Sequence, residues 1–284
     1  MLQSQLAGAA IGRTPFHPTQ PSSPGPSSVK PTVTFLVQTR RLSYKAPMLI
    51  QQPTVQGRLL RRYKRFLADV ELDTGEVIIA HCPNTGSMTG CCEVGSRVVL
   101  RDSQKPERKL LYTLQTIEAD GTWVNVDTGL PNVLVPEAIA AGQVPALRGY
   151  SSIRREVKYG KNSRIDVLLE KANGARCYVE VKNTTLVRKG QGQFPDAVTE
   201  RGRKHLVELT GMVAEGHRAV MFYIVSRDDV KSFAPADDID PAYGEALRAA
   251  VDAGVEAIAY STTVSPTSFE LAKRLRIRLQ RATP

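Results

Sequence analysis

The periodicity of the apolar residues changes near the middle of the chain, and this change constrains the fold more than any other feature. Before about residue 128, short runs of alternating apolar and polar residues are separated by Gly, Pro and Asp, which is typical of closely spaced strands. Beyond that point, strand-like runs alternate with longer segments that end at glycines, as helices do. The sequence therefore predicts an all-β unit followed by an α/β unit.

The first unit, residues 48–128, contains five predicted strands. The first two flank the turn Asp73-Thr74-Gly75, which indicates a β-hairpin. The five strands cover residues 67–72, 77–81, 97–101, 110–118 and 122–126. So many strands in so short a segment favour a small barrel, and an OB-like β-barrel is the common choice at this size.

The second unit, residues 129–265, is predicted to be an α/β layer structure. Its predicted helices cover residues 131–141, 196–215 and 241–253. Its predicted strands cover residues 164–170, 177–183, 219–225 and 255–260, and the run at 219–225 is apolar enough for a fully buried strand. Residues 266–284 are rich in arginine and are predicted to form a basic C-terminal tail.

Residues 1–47 are predicted to form a disordered leader, because prolines interrupt them repeatedly and they contain no acidic residue. The same composition resembles an organellar transit peptide, which would place the protein in a plastid or another organelle. A start site placed upstream of Met48 is a third interpretation. In each case the functional protein begins near residue 48.

The overall charge favours a polyanionic partner. The chain has 38 Lys and Arg residues against 28 Asp and Glu residues, a formal net charge of +10. No apolar run approaches the roughly 20 residues that a membrane-spanning helix needs. The four cysteines lack the paired spacing of a zinc site and indicate reduced thiols. These features predict a soluble, cytoplasmic protein that binds no membrane.

Two strands of the second unit carry the most informative pattern. Their period of two places Asp166, Glu180 and Lys182 on one face, with Asp166 opposite Glu180. Like charges directly opposite each other are destabilising, and two close carboxylates usually share a proton or a cation. Mg²⁺ fits such a pair, because it takes oxygen ligands and commonly uses only one or two carboxylates. A solvated hairpin face, neutralised by Lys182 and Arg164, is the alternative.

Two neighbouring features favour the metal site over the solvated face. Glu156 could supply a third carboxylate ligand beside Asp166 and Glu180. The following predicted helix carries a cationic cluster, which is expected to contact nucleic acid: Arg201, Arg203 and Lys204. His205 lies in the same helix at the spacing of its apolar residues, so it is interpreted as a packing residue.

A second basic run in the barrel is predicted to bind nucleic acid. Tyr63 and Phe66 accompany the basic residues, and aromatic residues among basic ones suit a groove for a single strand. The run comprises Arg58, Arg61, Arg62, Lys64 and Arg65. A solvated edge strand that is kept charged against aggregation is an equally good interpretation of the same residues.

Several segments together resemble a known family. Asp166 and the Glu180-Val181-Lys182 tripeptide are similar to the Asp…Glu-x-Lys core of the PD-(D/E)XK nuclease superfamily. The wider sequence resembles the sugar fermentation stimulation protein A family in residues 57–66, 81–88, 125–132, 180–183, 194–202 and 233–237. This resemblance implies an N-terminal OB domain, a restriction-endonuclease-like α/β/α domain, and a DNA-binding regulator of sugar, especially maltose, metabolism. The leader and the arginine-rich tail depart from the family pattern.

The nuclease resemblance also assigns roles to the residues. Asp166 and Glu180 would hold Mg²⁺ or Mn²⁺ with the Val181 carbonyl, Glu156 would be a ligand or orient water, and Lys182 would activate the attacking water. The expected activity is metal-dependent hydrolysis of DNA phosphodiesters. Two alternatives remain open: a non-catalytic DNA-binding transcriptional regulator that retains the nuclease fold, and a module that senses carbohydrates or nucleotides. The strand preference and the oligomeric state are left undetermined.

Overall fold

The computed structural model describes residues 48–49, 53–160 and 163–280. The predicted leader, residues 1–47, lies outside these residues. The α-helices of the described chain are α1 (Pro131–Ala140), α2 (Glu200–Ala214) and α3 (Pro241–Asp252). None of the described helices is long and apolar enough to cross a membrane.

The first half of the chain forms a closed β-barrel. After β1 (Met48–Leu49), the barrel strands are β2 (Thr54–Tyr63), β3 (Leu67–Leu72), β4 (Val77–His81), β5 (Arg97–Asp102), β6 (Tyr112–Ala119) and β7 (Thr122–Asn125). Their order is β4-β3-β2-β5-β6-β7, and a parallel pairing of His81 with Thr113 joins β4 to β6. This pairing closes β2 to β6 into a five-stranded barrel, so the predicted OB-like barrel is confirmed. Of the barrel strands, β2 is the one that was not among the five predicted strands.

A seven-stranded sheet organises the second half. In chain order its further strands are β8 (Ser152–Tyr159), β9 (Ser163–Glu170), β10 (Arg176–Thr184), β13 (Arg218–Val225), β15 (Glu256–Val264) and β16 (Ser268–Arg274). The order is β1-β16-β15-β13-β10-β9-β8, with β10, β13 and β15 parallel. A smaller sheet joins β11 (Val187–Arg188), β12 (Gln191–Phe194), β14 (Ser232–Pro235) and β17 (Arg276–Ile277).

Helices cover both faces of the large sheet and create two apolar cores. On one face, Leu134 and Val135 of α1 pack against Val179 and Phe222. On the other face, Leu206 and Leu209 of α2 and Leu247 of α3 belong to the core that contains Tyr223. Strand β13 contributes to both cores, which explains its continuous apolar run. The predicted α/β architecture is therefore confirmed as a three-layer α/β/α arrangement.

Side-chain caps set the starts of the two later helices. The Thr199 side chain accepts a hydrogen bond from the backbone N–H of Gly202 at 3.0 Å, so α2 begins four residues later than the predicted residue 196. Asp240 caps α3 in the same way, at 3.0 Å from the backbone N–H of Tyr243. These caps fix the starts of both helices that cover the face of the sheet opposite α1.

The prediction of a basic tail is wrong for residues 268–277, because this segment contains β16 (Ser268–Arg274) and β17 (Arg276–Ile277). Strand β16 pairs with β15, and Phe269 and Leu271 are buried in the core beneath α1. The alternation of these apolar residues with polar neighbours marks a strand, but the arginines that follow conceal it. The α/β unit therefore extends to residue 277 and also includes β1 at the other end of the described chain.

Candidate functional site

The two predicted carboxylates lie on adjacent antiparallel strands of the large sheet. The register of β9 and β10 ends at the pair Val167–Val179, and Asp166 and Glu180 are the next residues of the two strands. Val167 and Val179 point into the core beneath α1, whereas the Glu180 carboxylate contacts His205 of α2. Glu180 is 2% exposed. The structure brings the two carboxylates close enough for the charge of Glu180 to raise the pKa of Asp166.

Hydrogen bonds from two directions hold the Asp166 carboxylate. Its Oδ2 accepts from the backbone N–H of Val181 at 2.7 Å, and its Oδ1 accepts from Nδ2 of Asn132 at 3.1 Å. Asn132 lies in the first turn of α1. Asn132 and Asp166 are 34 positions apart, so no local sequence pattern links them, although Asn132 ends one of the segments that resemble the family. These two bonds fix the carboxylate relative to β10.

The two carboxylates differ in their proton affinity. Burial, followed by the charge of Glu180, raises the pKa of Asp166 to about 7. Burial also opposes ionisation of Glu180, but the hydrogen bond from His205 and the charge of Lys182 outweigh it and lower the pKa of Glu180. Of the two carboxylates, Asp166 therefore holds a proton more readily than Glu180 does.

Lys182 and His205 surround the Glu180 carboxylate. Lys182 Nζ lies 2.7 Å from Glu180 Oε1, and the Nδ1 atom of His205 contacts the same oxygen. Lys182 Nζ and His205 Nδ1 are 3.1 Å apart. His205 is buried, as its interpretation as a packing residue expects, but its ring also contacts the Glu180 carboxylate. Positions on the buried face of α2 share one spacing, so the sequence could not separate a core residue from a site residue.

Glu156 does not complete a three-acid cluster. It is exposed on β8, and its backbone adopts a left-handed conformation with a φ of 53°, which is uncommon for a residue with a side chain. Its charge contributes to the raised pKa of Asp166. Within the described ranges, no group of three His, Cys, Asp or Glu side chains is close enough together to hold a metal ion.

The remaining pair of carboxylates nevertheless suits a divalent cation. Oε2 of Glu180 is buried and has no hydrogen-bond partner in the described part of the chain. An ionised oxygen without a partner in a buried position is costly, and a cation would satisfy it. Mg²⁺ commonly uses one or two carboxylates and fills its other positions with water or phosphate oxygens. Asp166 and Glu180 are sufficient protein ligands for such a site.

The predicted cations of α2 divide into three different environments. The Nε atom of Arg201 lies 3.4 Å from Nε2 of His205, so this residue reaches the site. Arg203 pairs with Asp240 at 3.2 Å and joins α2 to the start of α3. Lys204 lies 3.7 Å from Glu208 in an exposed pair within the helix. Of the three, only Arg201 contacts His205, the residue that touches the Glu180 carboxylate.

The side chains of the basic run in the barrel also have different surroundings. Arg62 donates hydrogen bonds to the carbonyls of Asn84 and Gly86, each at 2.8 Å, and thereby supports the loop that follows β4. Arg61 forms an exposed ion pair with Asp69 at 2.6 Å. Arg58 donates to the Gly95 carbonyl at 3.0 Å. These three side chains have local roles within the barrel.

The turn between β2 and β3 carries the other two cations of the run. Lys64 and Arg65 have φ values of 49° and 65°, so both adopt the left-handed conformation. Neither side chain bonds to another residue within the described ranges, and the adjacent Phe66 is 48% exposed. Two unpaired cations beside an exposed aromatic ring are an arrangement that can contact a polyanion.

The loop after β4 attaches the barrel to the α/β domain. The backbone N–H of Met88 donates to Oδ2 of Asp196 at 2.9 Å, and the Ser87 hydroxyl donates to the Asp196 carbonyl. A Cβ atom on Gly86 would collide with the Asp196 carboxylate. This loop is one of the segments that resemble the family. Its contacts with Asp196 form part of the interface between the two domains.

Comparison with known proteins agrees with this architecture. Residues 60–126 match the SfsA N-terminal OB domain, and residues 129–268 match the sugar fermentation stimulation protein RE domain. The sugar fermentation stimulation protein homolog of Geobacter sulfurreducens is 55% identical over 230 residues, which cover 81% of this chain and 98% of that protein. The homolog of Pelobacter propionicus is 56% identical over 227 residues, covering 80% of this chain and 98% of that protein.

A solved structure shares both domains. The structure of Pyrococcus furiosus SfsA in complex with Ca²⁺ superimposes with a TM-score of 0.75 at 27% sequence identity, covering 82% of this chain and 99% of that chain. The two family matches include barrel strands β3 to β7 and both carboxylates, Asp166 and Glu180. The chain therefore belongs to the sugar fermentation stimulation protein (SfsA) family.

Proposed function

We propose that this protein is a divalent-cation-dependent phosphodiesterase that acts on DNA. The observation that carries the proposal is the unpartnered Oε2 of Glu180, buried beside the second carboxylate of Asp166. Lys182 lies within hydrogen-bond distance of the same carboxylate group. Two acids that hold a cation, with a lysine beside them, form a set of groups suited to phosphodiester hydrolysis.

Each residue then has a distinct role. Asp166 and Glu180 would hold Mg²⁺ or Mn²⁺, which when bound withdraws charge from a phosphate oxygen and acidifies a coordinated water. Lys182 orients the attacking water and offsets the charge that develops on the phosphate. Asn132 and the backbone N–H of Val181 keep the Asp166 carboxylate in position. The Arg201 guanidinium contacts the DNA backbone next to the scissile phosphate.

The solved relative supports a divalent cation in this family. The structure of the Pyrococcus furiosus protein is of a complex with Ca²⁺. Ca²⁺ and Mg²⁺ both prefer oxygen ligands, and Ca²⁺ accepts more varied geometries. A pair of buried carboxylates is the kind of oxygen site that either ion would occupy in this chain.

A DNA substrate is supported by charge. The chain has a formal net charge of +10, and Lys64 and Arg65 project from the barrel without ion-pair partners within the described ranges. Nucleic-acid phosphates are the polyanion that such cations most commonly bind. The relatives are named sugar fermentation stimulation protein homologs, and regulation of maltose metabolism remains a prediction from the family resemblance.

A non-catalytic DNA-binding regulator is the second candidate. One observation favours it: both oxygens of Asp166 already accept hydrogen bonds, from Val181 and Asn132. If these bonds persist during DNA binding, the pair of acids would stabilise the fold without a cation. In that case, DNA affinity would not depend on Mg²⁺.

Incubation of the pure protein with supercoiled plasmid and with single-stranded DNA separates the two candidates. We expect cleavage with Mg²⁺ or Mn²⁺, none with EDTA, and a loss on the order of 10²–10³-fold in the Lys182→Gln variant. Lys158→Gln, which removes an exposed lysine from β8, is the matched control and should retain the activity of the parent. Undiminished DNA binding without cleavage under any of these conditions would favour the regulator.

A further inference from the structure

We infer that His205 is a positioning residue that links the cation ligand Glu180 to the phosphate-contacting residue Arg201. This inference rests on the proposed function, and it adds a component that the sequence motifs do not contain. The His205 side chain is 6% exposed, and the Glu180 side chain beside it is 3% exposed. The imidazole ring is thus enclosed between a surface cation and a buried carboxylate.

The contacts of the two ring nitrogens determine where the proton of a neutral imidazole lies. The Nε atom of Arg201 is always a donor, so His205 Nε2, at 3.4 Å, must accept. Nδ1 then carries the proton and donates it to Oε1 of Glu180, so it cannot accept from Lys182 Nζ, which lies 3.1 Å away. Lys182 donates to that same oxygen at 2.7 Å. Oε1 of Glu180 therefore receives two donors.

This arrangement fixes the orientation of the other carboxylate oxygen. With Oε1 held by His205 and Lys182, the Oε2 atom of Glu180 is the oxygen left for a cation. Partners that orient a ligand in this way typically contribute 10–100-fold to metal affinity, as an order of magnitude. His205 therefore prepares Glu180 for a cation before the cation binds.

The same ring holds Arg201 at the opening of the site. Its Nε atom is occupied by His205, and its two terminal nitrogens have no hydrogen-bond partner within the described ranges. These two nitrogens form the fork with which arginine binds phosphate oxygens. Since Arg201 precedes His205 by one helical turn of α2, a rigid element carries both residues. One imidazole therefore sets the positions of the cation ligand and of the phosphate contact.

Two substitutions separate the two functions of the ring. In His205→Asn, the amide nitrogen occupies the position of Nδ1 and can still donate to Glu180. In His205→Gln, the amide group reaches the position of Nε2 and can still accept from Arg201. The affinity for Mn²⁺ is measured by calorimetry, and the affinity for duplex DNA is measured in EDTA, so that neither readout requires catalysis.

We expect opposite losses in the two variants. His205→Gln should bind Mn²⁺ about 10–100-fold more weakly than the parent while keeping its DNA affinity in EDTA. His205→Asn should keep most of its Mn²⁺ affinity and lose as much DNA affinity as Arg201→Gln does. His217→Gln is the control, because the His217 ring packs at a tilt of 41° against Tyr178 and contacts neither carboxylate within the described part of the chain.

The possible results distinguish this inference from the proposed function. Equal losses in both variants, or no loss in either, would overturn the role of His205 while the cation site of the parent stands. Absence of Mn²⁺ binding by the parent would overturn the proposed function, and the inference with it. Thermal unfolding of each variant in EDTA verifies that the compared proteins are folded.

Discussion

The Asp166 carboxylate accepts a hydrogen bond from the backbone N–H of Val181, with 2.7 Å between oxygen and nitrogen. Val181 stands between Glu180 and Lys182 in the chain, so this one bond ties the acid of β9 to the part of β10 that carries the other two groups. The bond also partly compensates the cost of burying Asp166. The geometry of the site is thus set by the backbone of the sheet before any ligand binds.

The raised pKa of Asp166 predicts a pH-dependent stability in the absence of metal. The pKa is about 7 in the folded protein against an ordinary value of 3.8, so the folded state binds this proton more tightly than the unfolded state. This contribution to stability is fully present below the ordinary value and is lost as the pH rises through about 7. Thermal unfolding in EDTA should therefore show a melting temperature that falls over this window.

The Asp166→Asn variant and added Mn²⁺ serve as controls for this prediction. The variant has no proton to lose at this position, so its melting temperature should fall less over the same pH window. Mn²⁺ binds the ionised carboxylate and should also reduce the fall in the parent. Equal pH dependence in the parent and the variant would show that the pKa of Asp166 is not raised.

The left-handed turn at Lys64 and Arg65 predicts that replacing both residues raises the stability of the protein and lowers its affinity for DNA. Both residues adopt left-handed φ values, which cost a residue with a side chain roughly 1 kcal/mol each. The Lys64→Asn, Arg65→Gly double variant should therefore be more stable than the parent. It should also bind DNA more weakly, with a salt dependence lower by about two phosphate contacts.

A second pair of exposed cations provides the matched control for the turn. Arg108→Gln with Lys109→Gln removes the same charge from another exposed loop of the barrel. This control should change DNA affinity less and should not raise the melting temperature. A double variant of the turn that binds DNA as tightly as the parent, measured across a salt series, would remove the turn from the DNA-binding surface.

A buried arginine is predicted to stabilise the contact between the two domains. The Arg227 side chain is 2% exposed and pairs with Asp229 at 2.6 Å and with Asp120 of the barrel at 3.4 Å. Arg227→Met should destabilise the protein by about 1–3 kcal/mol, because it leaves the hydrogen bonds of the guanidinium unmade. Asp120→Ala should have an effect within about 0.5 kcal/mol, because Asp120 is 76% exposed. Unfolding in urea measures both values, and equal effects would contradict this explanation.

Much of the fold followed from local patterns in the sequence. The period of two in β9 and β10 placed Asp166 opposite Glu180, and the continuous apolar run identified β13 as a strand buried on both faces. These predictions depended only on neighbours along the chain and on sheet geometry. The C-terminal ends of α2 and α3 could also be found to within a residue from the glycines that follow them.

The parts that the sequence did not predict depend on contacts between distant segments. Asn132 reaches Asp166 from α1, and His205 reaches Glu180 from α2. Neither contact has a periodic signature, because a buried helix position carries core and site residues alike. Phe269 of β16 was missed because the arginines that follow dominate the composition of that segment. Tertiary packing, rather than local preference, decided each of these positions.

Calorimetric titration of Mn²⁺ tests the central claim most directly. The parent should bind Mn²⁺ at one site, whereas Asp166→Ala and Glu180→Ala should each lose that binding, since each removes one of the two protein ligands. Both variants should keep much of their DNA affinity in EDTA, because phosphate contacts come mainly from Arg and Lys. Binding by the parent and its loss in both variants would support the cation site. Absence of Mn²⁺ binding by the parent at millimolar concentration would contradict the cation site and the proposed phosphodiesterase.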